Sequence, residues 1–163
     1  GNIIGNTAVN GGGVYIGWSN PKFGLFNMQG GSIADNVAKN GGGVYNGGDL
    51  TITGGSITRN KSEMNIRRGD GGGIYTQGTL KVGGTAVIKE NYYMSGGSSF
   101  ERNLALYKSI SIVEPLTSGA AIGVTALNTM NNGFLMAETN FPWSFTNENL
   151  INYSSFFFSD NRN

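Results

Sequence analysis

Apolar and polar residues alternate one by one along short stretches of this chain, and each stretch stops at glycine or asparagine. Leu50-Thr51-Ile52-Thr53 shows the pattern most clearly. A period of two puts Leu50 and Ile52 on one face of a strand, and the apolar residues of the repeats never follow the roughly 3.6-residue spacing of a helix. The stretches recur. Gly11-Gly12-Gly13-Val14-Tyr15 returns as Gly41-Gly42-Gly43-Val44-Tyr45 and as Gly71-Gly72-Gly73-Ile74-Tyr75, each copy 30 residues after the last. Gly30-Gly31-Ser32-Ile33 matches Gly54-Gly55-Ser56-Ile57 and, more loosely, Gly83-Gly84-Thr85-Ala86. A third motif, an apolar residue followed three positions later by Asn, runs Ile3 to Asn6, Ile33 to Asn36, Ile57 to Asn60, Ile88 to Asn91 and Phe100 to Asn103.

The shortest complete repeat, Val37 to Asn60, has 24 residues. That length accommodates three short strands separated by Gly/Asn corners, a triangular coil whose strands pair with those of the next coil at about 4.8 Å. The predicted fold is all-β: a right-handed parallel β-helix, a solenoid of about four coils. Inward columns are expected for Val14, Val44 and Ile74; for Phe26, Leu50 and Leu80; for Met28, Ile52 and Val82; and for Ile33, Ile57 and Ile88. Asn36, Asn60 and Asn91 are expected to stack as an amide ladder, each in the left-handed backbone region that Asn tolerates. Asn10, Asn40 and Asp70 form a similar column before the Gly triplets. The triplets themselves allow positive φ and close approach between coils. One position before the ladder, Asp35, Arg59 and Glu90 alternate in sign, as an exposed ion-pair column would.

Composition changes this picture in one respect. Of 163 residues, 28 are Gly and 21 are Asn, a level compatible with disorder, and only their periodic placement argues for a fold. The absence of Cys and His removes disulfides, thiolate chemistry and the commonest metal ligand and general base. No cofactor or metal is expected. A net charge of +1 argues against nucleic acid as a partner, and no apolar run approaches the eighteen or so residues of a membrane span.

The Gly-Gly-Gly-Val-Tyr and apolar-x-x-Asn alternation resembles the repeats of right-handed β-helix surface proteins. These include the chlamydial polymorphic outer-membrane protein type and the repeat-rich cell-surface proteins of gut bacteria and spirochaetes. Phe100-Glu101-Arg102-Asn103 matches the Phe-x-x-Asn form outright, and residues 110–125 resemble a segment that closes such arrays in the gut-bacterial group. Gly-Gly-Gly replaces the chlamydial Gly-Gly-Ala, and the other corners carry Ile in place of Phe. The resemblance covers residues 2–126. It implies an exported, extracellular or cell-surface protein with an adhesive or structural role.

Insertions in solenoids form loops that often bind, and three interrupt the minimal coil: Trp18 to Gly24, Lys61 to Asp70 and Tyr92 to Asn103. The second contains Arg67-Arg68-Gly69-Asp70, hence an Arg-Gly-Asp tripeptide of the receptor-binding kind and, with Lys61, basic residues suited to an acidic glycan. Tyr15, Tyr45 and Tyr75 each follow an inward aliphatic residue and so point outward as an aromatic strip. Such a strip either binds sugar faces or shields strand backbones. A polysaccharide-active enzyme would need acids converging on one face, yet Arg59 separates Asp35 from Glu90, and a non-enzymatic role is expected. Asn60-Lys61-Ser62 and Asn152-Tyr153-Ser154 are glycosylation sequons.

Glycine nearly stops after residue 97, where 25 of the 28 have already fallen, and residues 127–163 hold eight of the 18 aromatics. The chain therefore divides into repeats at 1–126 and a C-terminal cap or assembly segment at 127–163, with Phe141, Trp143, Phe156, Phe157 and Phe158 as cap candidates. The first residues carry no signal peptide and no polar cap, so the expected partners are further β-helix coils or copies of the chain, besides a host receptor or glycan. A tail meeting the next molecule's open edge would make a filament.

Overall fold

The computed structural model describes residues 1–19, 22–63, 71–106, 110–126, 137–139 and 154–160. Among them the fold is all-β apart from one 3-10 turn, Ser154–Phe156. Thirteen of the described strands join one large, mainly parallel sheet curled into a half-barrel, and five form a second sheet. Parallel pairing joins equivalent positions of successive repeats, as the period-two pattern requires. Val14 pairs with Val44, Val44 with Ile74 and Ile74 with Leu104. Phe26, Leu50 and Leu80 fall in one register column, and Met28, Ile52, Val82 and Ile112 in the next. Ile3, Ile33, Ile57, Ile88 and Ile122 make a third column. These columns meet in a single core in which Ile52, Ile57, Ile74 and Ile88 are wholly buried. Each such side chain contributes about 1.5–3 kcal/mol of burial free energy.

The asparagine ladder is present and longer than three rungs. The backbone N–H and the side-chain Nδ2 of Asn36 both donate to Asn60 Oδ1, each at 3.0 Å. Asn60 repeats this toward Asn91 Oδ1 at 3.1 and 2.9 Å, and Asn91 toward Asn103 Oδ1 at 2.8 and 3.0 Å. Asn6 donates to Asn36 in the same way. The second Nδ2 hydrogen reaches back to a carbonyl of the preceding repeat, Ile33 for Asn60 and Ile57 for Asn91. The left-handed residues are not these asparagines. They are Asp35, Arg59 and Glu90, one position earlier, each at φ 56°, in the place that Gly5 takes at φ 71°. That strained residue turns the chain so that the amide points into the core.

Gly13, Gly43 and Gly73 lie against this ladder. A Cβ on Gly43 would stand 2.7 Å from the Gly73 carbonyl oxygen and 2.9 Å from Asn60 Nδ2. The triplet is therefore a packing requirement of the ladder as well as a corner. The ion-pair column is half formed: Arg59 clasps Asp35 through Nε and Nη2 at 3.0 and 2.8 Å, and this guanidinium holds the Asp35 carboxyl below its usual range. Glu90 instead meets its neighbour Lys89 at 3.1 Å.

Three features depart from the repeat pattern. Tyr92–Ser95 and Ser98–Glu101 pair antiparallel, so Phe100 faces Tyr93 within a hairpin and the isoleucine column passes to Ile122 instead. Asn103 nevertheless completes its rung on Asn91, only 12 residues on. Residues 110–125 do not end the array, because Ile110–Leu116 pairs onward with Ala137–Thr139 and Ala121–Ala126 with Phe157–Ser159. Nor is the C-terminal segment irregular throughout. Phe157 pairs with Ile122 and extends the isoleucine column, and Phe156 and Phe157 pack on the core while Phe158 is more exposed. Phe141 and Trp143 lie outside the described residues.

Three residues after Phe157, Asp160 stands where the motif has Asn. It accepts from Asn103 N–H at 2.8 Å and Nδ2 at 2.6 Å, and from the Thr125 hydroxyl. Burial pushes its carboxyl above the usual value, with nearby Glu101 adding to the rise and the Thr125 and Asn103 donors opposing it.

Replacing Asn60 by Ala removes the acceptor of two Asn36 donors and the donor to Ile33. At about 1–3 kcal/mol for each buried group left unpaired, the loss should be roughly 3 kcal/mol or more by urea unfolding. Asn40→Ala, which removes one side-chain bond to Asn10, should cost about 1 kcal/mol. A raised Asp160 pKa stabilises the fold fully below the ordinary carboxylate range and loses that contribution as pH rises through the folded value. Asp160→Asn should therefore melt above the parent protein at pH near 7, and thermal melts should converge below about pH 4.

Candidate functional site

Alternation turns Val14, Val44 and Ile74 inward and the following tyrosines outward. The strand spacing then decides their contact, since residues in register on neighbouring strands stand about 4.8 Å apart. Tyr15 and Tyr45 stack with ring centroids 5.2 Å apart at 20°, and Tyr45 and Tyr75 at 5.2 Å and 23°. Ala105 takes the next position. Gln77 fixes the ring edges: its Nε2 donates to the Tyr75 hydroxyl at 2.9 Å, and the Tyr45 hydroxyl donates to its Oε1 at 3.2 Å. Enclosure between the other two rings raises the Tyr45 phenol above its ordinary value, with burial the larger cause.

Beside the strip runs a groove of about 560 Å³, lined by Tyr15 and Tyr45 together with Trp18, Phe23, Asp49, Gln77 and Thr79. Trp18 and Phe23 are paired in the antiparallel hairpin formed by Trp18–Ser19 and Lys22–Phe23. Both stay more than half exposed, at 64% and 61%. Gly47, Gly48 and Gly78 complete the lining. The last two are confined by backbone, with the Gly24 carbonyl over Gly48 and the Gly48 carbonyl over Gly78.

Buried Asn46 organises that glycine floor. Its Oδ1 accepts from Gly48 N–H at 3.1 Å, and its Nδ2 donates to Thr76 Oγ1 at 3.0 Å and to the Thr79 carbonyl at 2.8 Å. Backbone bonds continue from Gly47 to Ile16, Asp49 to Gly24 and Thr79 to Gly48. The floor is a hydrogen-bonded platform. Among the described residues Asp49 forms no side-chain ion pair and no Lys or Arg lines the groove.

Tyr15, Tyr45 and Tyr75 are thus brought together, whereas Arg67, Arg68 and Asp70, and with them the Arg-Gly-Asp tripeptide, lie outside the described residues. Lys61 belongs to a sheet strand, pairing with Val37 and Tyr92. The third insertion packs on itself, Tyr93 meeting Phe100 at 6.4 Å and the Arg102 guanidinium at 4.9 Å. The sequon at Asn60 is closed in the folded chain, because Asn60 and Ser62 are both fully buried and Asn60 Nδ2 is spent on the ladder. Asp49, Gln77 and Thr79 had no role in the sequence pattern. Their signal is the diglycine Gly47-Gly48 and the single Gly78, which place the next polar residues beside the strip. Among the described residues no group of three or more acids gathers as a metal site would require.

No family model, curated protein or solved structure matches the chain.

A raised phenol pKa leaves stability unaffected up to about pH 10 and removes it as pH rises through the folded value. Tyr45→Phe cannot ionise there and should hold its melting temperature to higher pH than the parent, as a series of melts across the alkaline range will show.

Proposed function

We propose that this chain is a right-handed parallel β-helix serving as a non-enzymatic adhesive or structural module, exported to the cell surface or beyond. The parallel register of every repeat column supports the helix, and the motifs shared with β-helix surface proteins support the location. The observation that carries the adhesive reading is the groove beside the tyrosine strip. It gathers aromatic rings on a rigid floor, with one carboxylate rather than an opposed pair. Two carboxyl groups flanking a bond are what glycoside hydrolysis requires; aromatic rings with a few fixed polar groups are what recognition requires. The stacked core supplies rigidity, so the face presents its side chains without an ordering cost at binding.

Antibodies raised against the purified chain should label intact cells of its source, with no gain on permeabilisation. Labelling that appears only after permeabilisation would remove the surface assignment.

A further inference from the structure

We infer that the groove beside the tyrosine strip is a binding site for a neutral oligosaccharide. This rests on the adhesive reading above and gives it a ligand class. A pyranose ring has apolar C–H faces and a polar hydroxyl rim. Its faces pack against the negative face of an aromatic ring, and its rim needs short, fixed donors and acceptors. The groove offers both. Trp18 and Phe23 present largely exposed rings, and Tyr15, 60% exposed, adds a third to the lining. At the rim stand the Asp49 carboxylate, the Gln77 amide and the Thr79 hydroxyl, groups that accept from or donate to sugar hydroxyls.

Charge narrows the ligand further. Uronates and sialylated glycans are met by Arg or Lys at their carboxylates, and among the described residues the lining has neither while carrying Asp49. Lys61, the described basic residue of the second insertion, pairs within a sheet and is not part of this lining. An extended apolar peptide would desolvate the Asp49 carboxylate without offering it a donor, which costs binding free energy. Volume agrees, because about 560 Å³ falls in the range of roughly 300–1,000 Å³ of small-ligand sites. The floor requires glycine because neighbouring repeats stack closely there. A side chain at Gly78 would run into the Gly48 carbonyl, and at Gly48 into that of Gly24.

The test is titration of the full chain with cello-, xylo-, manno- and chito-oligosaccharides, and with oligogalacturonate as the anionic counterpart, by calorimetry and tryptophan fluorescence. At least one neutral oligosaccharide should bind saturably and more tightly than oligogalacturonate. Trp18→Ala, on an exposed hairpin, should weaken that binding at least tenfold with an unchanged melting temperature, and Asp49→Ala should weaken it as well. Saturable binding that survives both substitutions, a preference for oligogalacturonate, or no saturable binding of any neutral member would each overturn the inference. Cell-surface labelling is a separate readout, so loss of sugar binding and loss of the surface assignment are distinguishable.

Discussion

A buried carboxamide must satisfy an acceptor and two donor hydrogens, or it costs the fold more than it contributes. This chain meets that demand by stacking. Each ladder oxygen from Asn36 to Asn103 accepts from the backbone and side chain of the preceding rung. The Nδ2 groups of Asn36, Asn60 and Asn91 spend their remaining hydrogen on a backbone carbonyl, while that of Asn103 goes to the Glu101 carboxylate. No rung is satisfied alone, so the repeats must remain in register. The rest follows from that register: the left-handed residue before Asn6, Asn36, Asn60 and Asn91, the glycines that leave room for the amides, and the aliphatic columns on either side. Where the chain departs from its period, as in the hairpin before Asn103, the ladder is still kept, with Asn103 returning to its place over Asn91.

The same register produces the outward face. Tyr15, Tyr45 and Tyr75 stack because the valines and isoleucine before them stack inside. One buried Asn, Asn46, then ties the turn that follows into a platform under the groove. The groove lies on the outward face of strands whose inward side chains are fixed in the core, and the hairpin that supplies Trp18 is added without disturbing the columns.

Much of this was legible in the chain itself. Period-two alternation and motifs of fixed spacing sufficed for the aliphatic columns, the amide ladder and the outward tyrosines, because in a stacked fold equivalent positions are neighbours. What was hidden depended on geometry within a repeat. The left-handed turn sits at Asp35, Arg59 and Glu90 rather than at the asparagines, one position before the side chain that enters the core. Phe100 matched the motif and yet lies in a hairpin, and Ile122, lacking an Asn three positions on, holds the core position. Asp160 escaped notice because a carboxylate replaces the amide at this rung, where its oxygens accept from Asn103 as an Asn oxygen would. The groove needed three repeats and an insertion to converge, which no linear pattern displays.

The ladder's claim to govern the fold is tested most directly by native-state hydrogen exchange of the backbone amides of Asn36, Asn60, Asn91 and Asn103, which donate to side chains rather than to strand partners. If the ladder holds the repeats together, these four amides exchange only through global unfolding, as slowly as the central strand amides of Asp49–Thr58. Exchange at the rate of exposed turns, while those strand amides stay protected, would contradict the account.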